Sequence, residues 1–263
     1  MQHAVSQVFL RVGKGEDEDA PTEFDLGRII IDSLVAADVK HLVHSSFASS
    51  LEHTGGKLFI KPQEMKYRAH QYAKATGHFK SICGVYSAWY FEQFLDRPTA
   101  EVFGGFPFTP DAHGCYVFRA PRWGDDELPS FVSISNDFGD IVHGILMQPE
   151  VWDGEAVPAV SDVMSFDAVC AAFERVTGQK ARYEPLDSWE DFGRGIPEMD
   201  EHRLLFAFTQ MTGGRYYGDV PTEVETASRL KRVAAKAQGI KNYEDAKLTR
   251  LEDWFQVCFA QKK

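Results

Sequence analysis

The feature that most constrains this chain is the alternation of its first third. The segment "AVSQVFLRV" (residues 4–12) is apolar and β-rich, and "DLGRIIIDSLVAADV" (25–39) repeats Leu26, Ile29, Ile30, Leu34 and Val35 at helical spacing. "KHLVHSSF" (40–47) is strand-like again. "KPQEMKYRAHQYAKATG" (61–77) opens with Pro62, which suits a first helical turn, and closes on Gly77; "FKSICGVY" (79–86) is another strand. Strand, helix, strand, helix and strand in that order predict parallel strands joined by right-handed crossovers. The fold class is therefore α/β, with a doubly wound parallel sheet. Asp25 is the expected N-cap of the first helix.

The remainder is less regular and predicts a smaller mixed lobe. Residues 115–121 and 130–135 read as short strands, separated by the turn "RWGDDELP". Residues 136–149 read as a helix with Asn136 as N-cap, stopped at Pro149, and 155–162 as a strand. "SFDAVCAAFERVTG" reads as a helix capped by Ser165 and ended by Gly178, followed by a strand over 180–186. The tail predicts helices over 198–211 and 223–236 and a last one through "LEDWFQVCF". No internal repeat or low-complexity tract is present.

Charge and composition exclude several function classes. With a net charge of −11 and no extended Lys/Arg cluster, the chain lacks the basic footprint of a nucleic-acid binder. No apolar run approaches the ~18 residues a membrane span needs, so no membrane partner is expected. "MQHAVSQVFL" lacks the basic and long apolar regions of a signal peptide. Cys83, Cys115, Cys170 and Cys258 form no CxxC pair, so reduced thiols and a cytoplasmic location are expected. The histidines make no metal signature, and HExxH, GxSxG and Walker A patterns are absent.

Candidate site residues come from strand ends and one helix. Ser45 and Ser46 end a parallel strand, where doubly wound sheets hold their ligands; they orient a substrate carbonyl or else satisfy backbone groups in the turn. Lys66 shares a helix face with His70 and Lys74. Its spacing is that of a solvated face, or of a short-chain dehydrogenase Lys whose Tyr, four residues earlier, is replaced by Pro62. The aromatic run "WYFEQF" (89–94) is either core packing or the wall of a flat-ligand pocket. A Gly-rich phosphate turn is missing. Gly13 and Gly15 are followed by four carboxylates at Glu16–Asp19, which repel a phosphate.

In this order, "VFLRV", "LGRIIIDSLVAADVKHLVHSS", the Lys66 helix and "WYFEQF" resemble NmrA-like proteins, atypical members of the short-chain dehydrogenase superfamily. "NDFGDIVHGIL", "VSDVMSFDAVCAAFERVTGQKARY" and "GGRYYG" extend the resemblance over nearly the whole chain. It implies NADP or NAD as cofactor in a Rossmann-like sheet. It implies a reductase acting on a small molecule in a fungal-type secondary pathway or, alternatively, a non-catalytic nicotinamide-sensing regulator or interaction protein, or a remnant without cofactor. By this resemblance Lys66 contacts the nicotinamide-side ribose, Tyr90, Phe91, Glu92 and Gln93 line the nicotinamide pocket, and Phe9, Leu10 and Arg11 form the strand end that passes the cofactor.

The resemblance further implies that the chain is truncated: roughly 70 to 80 family residues, two to three β-α units, precede its first strand. Residues 1–100 are then an incomplete, partial nucleotide-binding region and 101–263 a mixed substrate lobe with shared sheet elements. The strand over 4–12 is left with an open edge, which implies pairing with a second chain or self-association.

Overall fold

In the computed structural model, which describes residues 3–6 and 21–260, the alternation becomes a four-stranded parallel sheet. The elements in the first third are β1 (His3–Ser6), α1 (Glu23–Ala36), β2 (His41–Ser45), α2 (Ser50–His53), α3 (Lys61–Ala75) and β3 (Ser81–Ser87). Next come β4 (Trp89–Tyr90), α4 (Arg97–Val102), β5 (Tyr116–Pro121), β6 (Ser130–Val132), α5 (Gly139–Met147), β7 (Ala156–Ala159) and β8 (Asp162–Val163). The last are α6 (Phe166–Thr177), β9 (Ala181–Leu186), α7 (Asp200–Met211), α8 (Glu225–Ala237) and α9 (Leu251–Phe259). The main sheet runs β1-β2-β3-β7, all parallel, with Leu42 opposite Ile82 and Val85 opposite Val157.

Helices cover both faces of this sheet. On one, Ile31 of α1 and Ala69 and Ala73 of α3 pack with Leu42 and Ile82. The two helices approach closely because Gly27 has no side chain; a Cβ there would lie 3.0 Å from Cβ of Ala69. On the other face α5 packs against α8, and Gly144 admits the backbone of Leu230. Two smaller sheets complete the fold, a three-stranded one, β4-β6-β8, and a parallel pair, β5-β9. One continuous core extends from Val43 and Val85 through Phe131 to Phe255.

Local sequence explains most element ends. Thr22, not Asp25, caps α1: its hydroxyl accepts from Asp25 N, while the Asp25 carboxylate accepts from Thr22 N, a reciprocal box that moves the cap three residues earlier. Ser165 caps α6 and Gly178 closes it in the left-handed region at φ 70°. The expected Asn136 cap is also displaced. Ser133, extended at the end of β6, accepts from Asn136 N at 3.2 Å, and a π-helical turn (Ile134–Phe138) leads into α5. The strand expected over 155–162 divides into β7 and β8, which belong to different sheets. The expected strand over 4–12 is described only as β1.

Candidate active site

Doubly wound sheets hold ligands beyond the carboxyl ends of their strands, and among the described residues two concavities lie there. One is a recess at the end of β2, bounded by Glu23 and Gly27 of α1, His44 and Ser45 of β2, and Lys66 of α3. At about 20 Å³ it has room for one water. The other is a cleft of about 200 Å³ at the end of β3. No described residue lines both.

In the recess, Lys66 projects from the second turn of α3 and pairs with Glu23, which the Thr22 cap places in the first turn of α1. Both side chains are only 17% exposed, and burial pulls the Lys66 ammonium down to about 8. Ser45 is half-buried beside it. Ser46 is fully buried, and its hydroxyl donates to the Lys66 carbonyl at 3.4 Å, so it braces α3 and does not line either concavity. Behind the recess His44 and His70 bury their rings with centroids 5.7 Å apart. Burial lowers His44 to about 4 and, with help from its neighbours, His70 to about 3.

The cleft is assembled from segments far apart in sequence. Ser87 ends β3, and Tyr90 and Gln93 follow on β4 and the next turn; Ser87 Oγ and Tyr90 Oη are 3.4 Å apart. Phe47 enters from the loop after β2, Thr99 and Phe103 from the α4 region, and His202 and Phe206 from α7. Trp89, Phe103, Phe192 and Phe206 form a closed ring of aromatic contacts, with successive centroids 5.9, 5.0, 4.9 and 5.5 Å apart. Trp123 supports this wall from behind: its indole donates to the Gly214 carbonyl at 3.1 Å, and its ring meets Trp89 and Tyr216. His202 Nδ1 lies 3.1 Å from the Glu198 carbonyl, an acceptor only, so that nitrogen carries a proton. Among the described residues, no Lys, Arg, Asp or Glu lines the cleft.

The expected site is thus redistributed. Tyr90 and Gln93 line the cleft, whereas their neighbours turn away from it. Phe91 has no exposure and packs against Phe131 and Trp254 in the core. The Glu92 carboxylate accepts from Ile134 N, Ser135 N and Ser135 Oγ at 2.8–3.1 Å, capping the turn before α5. Burial raises its pKa, but these hydrogen bonds outweigh burial and hold it below the ordinary carboxylate range. The reason is local: Tyr90 ends β4 and a 3₁₀ turn begins at Phe91, and with three residues per turn Phe91, Glu92 and Gln93 point to different sides, so one face cannot hold all four. Lys66 and Tyr90, expected on one crevice, sit in separate concavities. Phe9, Leu10, Arg11 and the acidic Glu16–Asp19 segment lie outside the described residues. Phe47, Phe103, Phe192, His202 and Tyr216 were not singled out from the sequence as ligand contacts; each comes from a different segment, and no spacing pattern links them.

The recess thus brings an ammonium, Lys66, and a hydroxyl, Ser45, to the end of β2, with the Glu23 carboxylate paired to the ammonium.

A model of the NmrA-like family matches residues 1–254. The chain is 67% identical over 242 residues to the NmrA-like family domain-containing oxidoreductase lnbB of Aspergillus flavus, covering 92% of this chain and 72% of that protein. It is 48% identical over 249 residues to the similarly described FrzB of a Cladobotryum species, covering 92% and 74%. Among solved structures, it resembles NmrA, a negative transcriptional regulator, in complex with NADP, at a TM-score of 0.63 and 19% identity over 90% of this chain and 70% of that one. It also resembles an NADPH-dependent quinone oxidoreductase of Escherichia coli, at a TM-score of 0.57 and 18% identity over 89% and 72%. These structural likenesses establish a Rossmann-like fold.

Proposed function

Because the chain belongs to the NmrA-like family, we propose that it is an NAD(P)-linked oxidoreductase that reduces a carbonyl or imine of a small metabolite in a fungal-type secondary pathway. The observation that carries this reading is the uncharged aromatic cleft beyond β3, next to the Lys66 end of β2, at the carboxyl edge of a parallel sheet. Close relatives described as oxidoreductases support it.

A bound nicotinamide would supply the hydride. The chain's own residues would bind and orient. Lys66 and Ser45 hold hydroxyls of the ribose, the aromatic ring of Trp89, Phe103, Phe192 and Phe206 excludes water, and the Tyr90 hydroxyl donates to the substrate's oxygen or nitrogen. Pro62, which stands where a catalytic Tyr is found in classical relatives, has no proton to give. Tyr90, hydrogen-bonded to Ser87, is the hydroxyl in the cleft best placed for that contact.

Pro62 also favours a second reading, a non-catalytic NAD(P)-sensing regulator. Fluorescence titration of the purified chain with NADPH tests both. Micromolar binding, weakened about tenfold or more by Lys66→Ala, is expected; no binding at millimolar concentration overturns both. Turnover of a carbonyl substrate with NADPH separates the enzyme from the sensor.

A further inference from the structure

We infer that the cleft beyond β3 is a seat for a neutral, flat compound of one or two aromatic rings carrying a single hydrogen-bond acceptor, which the Ser87–Tyr90 hydroxyl pair receives. The inference deepens the reading of the cleft as a substrate site by naming the substrate class.

Three observations carry it. The first is size. At about 200 Å³ the cleft exceeds the ~150 Å³ of an apolar cavity that admits benzene, but it does not hold an extended dinucleotide. The second is shape and surface: four rings in mutual contact make one wall, and Phe47 and Tyr216, 6.0 Å apart, make another. Flat rings gain area and edge or offset contacts between such walls.

The third is charge. In a chain of net charge −11, a carboxylate ligand entering this cleft finds no described cation to meet it and loses its hydration. An ammonium finds no described carboxylate. What remains is a small polar set: the Ser87–Tyr90 pair, the Gln93 amide, Thr99 and His202. With its Nδ1 committed to the Glu198 carbonyl, His202 has only Nε2 left for a ligand. Tyr90 Oη, half-exposed and already aligned with Ser87 Oγ, is the donor that a carbonyl or imine acceptor meets first.

The test reads binding, with no dinucleotide present, by tryptophan fluorescence and calorimetry on the whole chain. The probes are 2-acetylnaphthalene, 2-ethylnaphthalene, 2-naphthoate, 2-naphthylmethylammonium and 1-methylnicotinamide. The ketone is expected to bind best, at least about tenfold tighter than the carboxylate, and about fivefold to tenfold tighter than the hydrocarbon, the worth of one net hydrogen bond. Tyr90→Phe should abolish the ketone-over-hydrocarbon preference and leave hydrocarbon binding unchanged. Gln93→Trp, at an exposed position on the rim, should weaken every neutral ring.

Equal or tighter binding of the carboxylate or the ammonium overturns the inference, as does a Tyr90→Phe chain that keeps the ketone preference. Preferential binding of 1-methylnicotinamide overturns it too, by making the cleft the cofactor's seat, yet leaves the oxidoreductase reading standing. Failure of NADPH to bind, with the ketone still bound, removes the oxidoreductase reading and leaves this one intact.

Discussion

Single residues at the end of β2 carry more of this protein's pH behaviour than their number suggests. His44 and His70 are buried as neutral rings, at about 4 and about 3, against about 6.5 in an unfolded chain. Between those limits the unfolded chain binds more protons than the folded one. Stability therefore rises with pH through this window and is lost as pH falls below about 6.5, with each ring contributing up to about 1.4 kcal/mol per pH unit. Urea midpoints measured from pH 7 to pH 4.5 should fall, and His70→Leu should flatten the slope; an unchanged slope would remove the rings as its cause. Glu23 supplies a second test at this scale. If its carboxylate competes with a ribose for Lys66, Glu23→Gln should tighten NADPH binding severalfold, the opposite sign to Lys66→Ala; weaker binding on titration would mean that Glu23 organises the site instead of closing it.

At the scale of elements, the packing of α5 on α8 makes a sharp distinction between two glycines. A Cβ on Gly144 would sit 2.3 Å from the Leu230 carbonyl oxygen, so Gly144→Ala must push the helices apart, at a cost of about 1–3 kcal/mol. Gly139, in the first turn of the same helix, has open space around it and an ordinary φ of −62°. Gly139→Ala should be neutral or stabilising, by up to about 1 kcal/mol. Chemical denaturation of the two variants checks the pair, and equal losses would show that the helix backbone, not the contact with α8, sets the effect. Elements also mark how far the sequence was legible. α6 was readable to the residue, because Ser165 and Gly178 act locally. The start of α5 was not, because Ser133 and Glu92 share its capping, and Glu92 comes from 41 residues earlier.

Across the whole molecule, one buried carboxylate ties together segments far apart in sequence. Asp137, with no exposure, accepts from Ser161 Oγ, Lys231 Nζ and Thr249 N at 2.5, 2.5 and 2.9 Å. It thereby joins the approach to α5, the β7–β8 turn, α8 and the segment before α9. Asp137→Ala removes three buried hydrogen bonds and leaves Lys231 only the Asn136 carbonyl and the Asp140 carboxylate, 3.4 Å away, and a loss of about 1–3 kcal/mol is expected in denaturant melts; a loss below about 1 kcal/mol would show that Asp140 takes over the role of Asp137. The sheet makes a second prediction at this scale. Among the described residues β1 ends the order of the main sheet, and we propose that this edge takes a strand of a second copy, as unpaired edges do. Size-exclusion chromatography with light scattering should show concentration-dependent association, and a monomer at every concentration would refute it.

The α/β class, the parallel order of the first strands and the helices over them followed from the sequence alone. Apolar periodicity and end-capping residues act within a few positions of one another, and the chain displays them directly. Some residues that line the two concavities were visible as well: Lys66, Ser45, Tyr90 and Gln93. Their grouping was decided only by tertiary structure. The fold put Lys66 with Glu23 in one concavity and Tyr90 in another, turned Phe91 into the core and Glu92 onto a helix start, and brought Phe47, Phe103, His202 and Tyr216 to one cleft. Periodicity describes directions around a single element, whereas a cleft is set by where separate elements come to rest against a shared core.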